Sequence, residues 1–399
     1  MRPADNAIRQ NPWPDFFSTV LDGLRENGLH RELKSMDSPI STRVKIGKRT
    51  FLLFCSNDYL GLASDPRMKK VASEAVNLWG TGSAASRLIS GNISLYRDLE
   101  KDISSFKHAE SSLVFACGYS ANVGVISSLA HKDDLILSDA LNHASVVDAC
   151  RLSRADVRVF PHRDLSCLQD HLAGRPARGK VLVVTDGVFS MDGDLAPLRE
   201  LYGVCGEYGA LLVVDDAHGT GVIGPSGGGS LDYFCMQNAD VVHVGTFSKA
   251  LGSLGGFVAG SKLLMDYIVN HARSLIYSTA LPPSVLAANR EGLRIVREDS
   301  SGRERLASLR SYLRTCLLRL GIPTPAGPAP ILPLIIGSER EAGLLSQHLW
   351  KKGILVPSIR PPTVPPGKSR LRITLSALHS ETDLDRLVEA LEGFFRMGS

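Results

Sequence analysis

From Ser94 to about Gly260, short apolar runs alternate with longer segments whose apolar residues recur every three or four positions. Runs rich in Val, Leu and Ile, bounded by Gly and polar residues, read as fully buried strands, and the periodic segments read as helices laid over them. The pattern predicts strands at Leu113–Ala116, Leu135–Ser138, Val157–Phe160, Val181–Thr185, Leu211–Asp215, Val241–Val244 and Gly256–Ala259. It predicts helices at Ser94–Lys107, Ser120–Ala130, Ala144–Ser153 and Ala196–Tyr208. Such alternation argues for an α/β fold, a mostly parallel seven-stranded central sheet with helices on both faces.

Ahead of this core, Asp15–Leu33 has the period of an amphipathic helix, Thr50–Cys55 reads as a short strand, and Pro66–Trp79 as a helix with proline at its first position. After Pro282-Pro283 the texture changes to long helical patterns (Val285–Arg297, Arg303–Leu320), Pro- and Ile-rich strands, and a last helix near Glu381–Phe395. The expected organisation is an N-terminal arm (1–60), a large domain (61–284) and a smaller α/β C-terminal domain (285–399).

Composition narrows the partners. A net charge of +4 over 399 residues, with no long Lys/Arg block, gives nucleic-acid binding no support, although a mildly basic surface suits anionic carriers such as coenzyme A. Seven scattered cysteines, odd in number and without Cys-x-x-Cys, read as buried thiols in a reducing compartment. Met1–Asn6 opens no signal-peptide apolar region, and no run approaches the ~18 apolar residues of a membrane span, so a cytoplasmic location is expected. His131, His162 and His171 lack metal-ligand spacing and read as ordinary surface or loop histidines, and no metal is expected.

The reactive residues cluster after two of the strands. Asp215 ends one run and is followed by Asp216-Ala-His218, while Thr246-Phe-Ser-Lys249 follows another. Ligands of open α/β sheets sit beyond the carboxyl ends of the strands. A carboxylate, an imidazole, a hydroxyl and an amine can thus share one crevice. That set suits pyridoxal phosphate (PLP), with the lysine as its Schiff-base partner and the aspartate facing the pyridinium nitrogen. Most lysines are solvated, and an aspartate after a strand is often only a cap or turn former. Lys249, however, lies between a buried run and a Gly-rich stretch with no further charge until Lys262, where an unpaired ammonium is costly. Gly118 and Tyr119 open a helix whose free N–H groups can cradle a phosphate, or simply turn a strand into a helix. His143 starts another helix, where its ring can stack on a cofactor, and Asp186–Asp194 reaches the same strand-end crevice. The small, polar stretch Gly80–Gly91 reads equally well as a substrate-facing loop or a linker.

Two further patterns compete. Gly219-Thr-Gly-Val-Ile-Gly224 matches a dinucleotide-binding signature, which would make a nicotinamide-dependent dehydrogenase, but Pro225-Ser-Gly-Gly-Gly cannot continue the helix that signature opens. Gly224-Pro-Ser-Gly-Gly228 matches a hydrolase nucleophile elbow without its strand and helix.

Thr185-Asp-Gly-Val-Phe-Ser-Met-Asp-Gly-Asp194, Asp215-Asp-Ala-His-Gly-Thr-Gly221, Thr246-Phe-Ser-Lys249 and Tyr277-Ser-Thr279-Ala-Leu-Pro-Pro resemble the α-oxoamine synthases, and the resemblance runs from about Leu21 to the C-terminus. These are fold-type I PLP-dependent transferases that condense an amino acid with an acyl thioester. The resemblance implies catalytic roles for Lys249 (Schiff base), Asp215 (ring nitrogen), His218 and His143. It places Ser190 with His218 near the phenolic oxygen, His143 over the ring, and Gly118, Tyr119 and Thr246 at the phosphate, with Thr279 supplied by the second subunit of a homodimer. Arg31, Asn57 and Arg372 match substrate-side positions. Arg372 is the implied clamp for the amino acid carboxylate, and Arg360 the next candidate. Asp186 stands where relatives often carry Glu, and Arg87 lies in a loop that varies among them. Ile359-Arg360-Pro-Pro-Thr-Val-Pro365 and Arg370-Leu-Arg372-Ile-Thr-Leu375 are most similar to the members that join L-alanine to a pimeloyl thioester, on coenzyme A or acyl carrier protein, in biotin synthesis. Glycine C-acetyltransferase and 5-aminolevulinate synthase activities are the alternatives within the family.

Overall fold

A short antiparallel pair, β1 (Arg43–Ile46) and β2 (Arg49–Leu53), ends the N-terminal arm. The computed structural model describes residues 11–175 and 178–398, so the reading of Met1–Asn6 lies outside the described residues. β3 (Ser111–Phe115), β4 (Leu135–Asp139), β5 (Asp156–Phe160), β6 (Val181–Asp186), β7 (Leu211–Asp215), β8 (Val242–Thr246) and β9 (Gly256–Gly260) form one seven-stranded sheet in the order β3-β9-β8-β7-β6-β4-β5. β5, β4, β6, β7 and β8 pair in parallel, whereas β9 runs antiparallel to both of its neighbours. Each strand lies within two residues of its predicted span.

Strand alternation explains why helices cover both faces. Leu182 and Val184 of β6 point into a cluster with Val125 and Ile126, while Val181 and Val183 point the other way, to Leu168 and Leu201. With both faces apolar, neither can be left to water.

The first helix, Trp13–Glu26, ends earlier than its periodicity suggests. Gly28 takes φ 64°, the left-handed conformation that commonly terminates helices.

The C-terminal strands are β10 (Ile331–Gly337), β11 (Ile354–Leu355), β12 (Ser358–Ile359) and β13 (Ser369–Thr374), in a sheet ordered β10-β13-β12, while β11 instead extends the arm as β1-β2-β11. The helices that follow Pro282 join different cores. Helix Pro283–Glu298 packs Leu286, Leu293 and Val296 against Tyr96, Leu99 and Phe257 of the large domain. The change of core falls between it and Ser301–Arg319, whose Leu306 and Leu313 join Ile331, Leu371 and Ile373. Leu52, Phe54 and Tyr59 of the arm belong to that same C-terminal core.

The Gly-rich loop after β7 takes its composition from a buried ion pair. Lys107 Nζ donates to Thr220 Oγ1 (2.7 Å) and the Gly228 carbonyl (2.7 Å), and lies 3.4 Å from Asp216 Oδ2. Asp216 also accepts from Ser230 N (3.0 Å), with His243 Nε2 at 3.0 Å. A Cβ on Gly219 or Gly229 would run into the Asp216 carboxylate. Of the glycines that mimic a dinucleotide signature, Gly219 thus packs on the Asp216 carboxylate and Gly224 on that of Asp232, both groups of the chain itself, and no helix begins until Ser230. Removing one partner of such a pair strands the other charge without water. Lys107→Met should lower the unfolding free energy by about 3–5 kcal/mol in urea titration, and adding Asp216→Asn should recover part of that loss. A purely additive double variant would show the two groups to be energetically independent.

Candidate active site

Beyond the carboxyl ends of β6, β7 and β8 lies a cleft of about 190 Å³. Gly118, Tyr119, His143, Asp215, His218, Thr246 and Lys249, all expected there, line it, together with Asn122 and Asp186.

Asp215 is the last residue of β7 and is 8% exposed. Its Oδ2 accepts from Asn122 Nδ2 (2.6 Å) and its Oδ1 from Ala217 N (3.0 Å), which aims the carboxylate into the cleft. Asn122 sits one turn after Gly118 and so shares its helix face, and its Oδ1 is buried without a partner among the described residues. A lone amide in the otherwise apolar Ala121–Ile126 segment is a signal that sequence reasoning passed over.

Lys249 sits on the connection between β8 and β9. Phe247 N donates to the Gly255 carbonyl (3.0 Å) and Gly252 N to the Lys249 carbonyl (2.9 Å), and Gly252 (φ 64°) lies so close to Leu62–Ala63 that a Cβ would clash with their backbone. Burial pulls the Lys249 amine down to about 8, against the pull of Asp215 and Asp186. Its Nζ lies 2.9 Å from His218 Nε2.

His218 opens a chain of hydrogen bonds with one consistent direction. Burial, then the charges of Lys249 and Arg372, hold its pKa well below 6.5, so the ring is neutral and carries one proton. Lys249 donates to Nε2, which leaves the proton on Nδ1 to donate to Tyr59 Oη at 2.7 Å. Tyr59 in turn donates to Asn57 Oδ1 (3.2 Å). Arg372, from β13, donates Nη1 to Asn57 Oδ1 (3.1 Å), Nη2 to Tyr59 Oη (3.3 Å), and Nε to the Ser190 carbonyl. The two residues from the arm thus join Lys249 to Arg372. Tyr59 escaped the sequence reading because its partners lie 159 and 313 positions away.

Asp186 ends β6 beside Asp215 on the neighbouring strand, and burial and the Asp215 charge push its carboxyl well above the usual carboxylate range. It accepts from His143 N (3.2 Å). His143 caps helix Ala144–Ser153, and its Nδ1 lies 2.7 Å from Ser145 Oγ. At the other end of the cleft, a Cβ on Gly118 would approach Thr246 Cβ and Oγ1 to 3.3 and 3.4 Å. Glycine there keeps the helix N-terminus open beside the Thr246 hydroxyl. Tyr119 is 48% exposed and donates to Asp148 Oδ2 (2.5 Å).

The remaining expected residues lie elsewhere. Ser190 does not line the cleft; its carbonyl serves Arg372. Arg31 is exposed, and Arg360 donates Nη1 to the Gly28 carbonyl. Thr279 is exposed and bridges to Ser86. Arg87 is engaged within the chain by Asn92, Glu100 (2.6 Å) and the Tyr96 ring.

Two expectations are corrected. Cys150 and Cys205 are buried, but Cys235 is exposed, because it sits on a turn after the short helix Ser230–Tyr233. His162 is no ordinary loop histidine: its Nδ1 lies 3.0 Å from Asp139 Oδ1 and its Nε2 2.9 Å from Asp194 Oδ2. Burial opposes its charge, but hydrogen bonds to both carboxylates prevail and raise it to about 9. Among the described residues no cluster of three or more His, Cys, Asp or Glu side chains could hold a metal ion, and no helix is long and apolar enough to cross a membrane.

Fold and cleft together define a fold-type I transferase. The family model for aminotransferase class I and II matches residues 49–391. An 8-amino-7-oxononanoate synthase of Geobacter sulfurreducens is 47% identical, covering 93% of this chain and 95% of that protein. One of Lysinibacillus sphaericus is 45% identical over 95% and 97%. A serine palmitoyltransferase from S. paucimobilis, solved with PLP and myriocin bound, superposes with a TM-score of 0.91 at 29% identity, covering 96% of this chain and 97% of that one. The chain belongs to the aminotransferase class I and II family and, within it, to the 8-amino-7-oxononanoate synthases.

The His162 geometry carries a pH signature. A histidine raised from ~6.5 to about 9 on folding stabilises fully below ~6.5, and that contribution fades as pH rises through 9. His162→Gln should therefore cost about 1.5–3 kcal/mol at pH 6 and almost nothing above pH ~9.5, as read from denaturant midpoints across pH. A pH-independent difference would mean that the ring acts by packing on Phe189 alone.

Proposed function

We propose that this chain joins L-alanine to a pimeloyl thioester, releasing carbon dioxide and the free carrier thiol, to give 8-amino-7-oxononanoate in cytoplasmic biotin synthesis. The observation that carries this reading is Lys249 Nζ lying 2.9 Å from His218 Nε2 in the cleft that Asp215 also lines.

The residues present fit PLP. Lys249 would hold it covalently, Asp215 would face the ring nitrogen, and His143 would lie over the ring. The open helix N-terminus at Gly118 and Tyr119, with the Thr246 hydroxyl, would take the phosphate. When bound, PLP supplies an electron sink for negative charge at the α carbon of the amino acid.

The chain's own groups then divide the work. An amine near 8 is partly neutral at mildly alkaline pH, so Lys249 Nζ can take the α proton and return one later. Neutral His218 keeps that Nζ aimed by accepting its hydrogen bond. Arg372, with its planar guanidinium held at Asn57 and Tyr59, meets the alanine carboxylate in bidentate fashion. The Ser190 carbonyl holds Arg372 Nε. The acyl group arrives on coenzyme A or acyl carrier protein, both anionic, which a net charge of +4 favours.

Product assays with alanine, glycine or serine against acyl thioesters of several lengths test the reading, and only alanine with the pimeloyl thioester should be turned over rapidly. Borohydride reduction of the PLP-loaded protein should label the Lys249 peptide. A label on Lys262 instead, or a preference for glycine, removes the assignment.

The site is shared across a homodimer in this reading. Thr279 and Tyr277 (71% exposed) stand outside their own cleft, as a segment reaching a partner's phosphate site would. Co-expression of a Lys249→Ala chain with a Thr279→Trp chain should restore activity in the isolated heterodimer, because both lesions fall in one of its two sites. A dead heterodimer, built from two inactive homodimers, would place Thr279 in its own chain's site.

A further inference from the structure

We propose that Arg370, through the turn Val188–Leu195, positions Arg372, so that capture of the amino acid carboxylate depends on β13 being docked on the large domain. This rests on the reading of Arg372 as the carboxylate clamp.

Arg370 and Arg372 alternate along β13 with Leu371 and Ile373, both 0% exposed in the C-terminal core. Both guanidiniums therefore leave the strand on its opposite face. That face meets a turn projecting from the large domain after β6. The turn closes through the Val188–Leu195 bridge, Phe189 N to the Asp194 carbonyl (3.0 Å), and Gly193 N to the Phe189 carbonyl (2.8 Å).

The two arginines grip three successive residues of this turn. Arg372 Nε donates to the Ser190 carbonyl, while Arg370 Nη1 donates to the Met191 carbonyl (3.2 Å) and to Asp192 Oδ1 (2.6 Å). Gly193, at φ 71°, lies so close to β10 that a Cβ would strike the Ile331 carbonyl. The foot of the turn is held on the large domain by Asp194, with His162 Nε2 at 2.9 Å and Arg163 Nη1 at 3.2 Å. The turn is thus held on the large domain by Phe189 and Asp194, while Val188 packs in the C-terminal core and the tip meets β10 and β13.

Arg372 takes its Nε anchor from this turn and its Nη anchors from the arm. If the tip shifts, the Nε bond goes and the guanidinium plane is free to rotate about its Nη contacts. The Arg370 side chain is 4% exposed and the Asp192 side chain 28%, so the guanidinium is buried and the carboxylate half-buried. Neither residue lines the cleft, and neither has a part in the proton transfers assigned to Lys249. Arg370 is therefore a positioning residue.

The test uses the PLP-loaded full-length protein and two ligands, alanine and ethylamine, which share an amine but differ in the carboxylate. In Arg370→Met, the alanine concentration giving half of the absorbance change, and KM for alanine, should rise roughly 10- to 100-fold. The ethylamine titration should be unchanged, and kcat at saturating alanine largely kept. Arg370→Lys should recover part of the loss. Asp192→Asn keeps an acceptor in place and removes only the charge, so it should give a smaller shift of the same kind even if Arg370→Met folds poorly. Equal losses for alanine and ethylamine, or an unchanged alanine titration in both variants, overturn the proposal. Absence of any alanine response in the unsubstituted protein overturns the carboxylate-clamp reading itself, and this proposal with it.

Discussion

Two carboxylates stand on successive residues at the end of β7, and both are withdrawn from water. Buried charge is tolerated only where it is paired or hydrogen-bonded, so the structure needs two separate answers at adjacent positions. Asp216 is satisfied inside the core by Lys107, His243 and the Ser230 amide. Asp215 is held from below by Asn122 and Ala217 and left open towards the cleft. The inner pairing frees the outer carboxylate for a ligand. It also explains the glycines at positions 219 and 229 and the packing of helix Ser94–Lys107 against that loop.

Much of the large domain was legible because its inner strands, β4, β6, β7 and β8, are buried almost throughout and leave apolar runs. Lys249 stood out for the same reason, as an isolated charge in a segment that should be buried. What escaped the sequence was contact between remote positions. Lys107 meets Asp216 across 109 residues, and Arg372 meets Asn57 across 315, at spacings no local period encodes. His162 looked ordinary because its two carboxylates are 23 and 32 residues distant. Periodicity likewise shows that Pro283–Glu298 is an amphipathic helix, but not which core receives its apolar side. The glycine pattern mimics a dinucleotide signature because packing on a carboxylate and packing on a phosphate both call for a backbone without side chains.

The cleft lies where two cores meet. The large domain supplies Asp215, His218, Thr246 and Lys249, whereas Tyr59 and Arg372 come from elements packed in or on the C-terminal core. The single file of hydrogen bonds from Lys249 through His218 and Tyr59 to Asn57 runs across that boundary. A neutral histidine suits the crossing, since it accepts from one side and donates to the other without adding charge to a dry site.

This division has a bearing on how such a scaffold diversifies. Lys249 rides on the short β8–β9 connection, pinned by Gly252 against Leu62–Ala63, whereas Arg372 is carried by β13. Substitutions, insertions or recombination in the C-terminal sheet can remodel substrate preference while leaving the lysine and its carboxylate undisturbed. For directed evolution, libraries confined to the C-terminal sheet should keep a high fraction of cofactor-competent clones, whereas the same mutational load spread over the β7–β9 region should not.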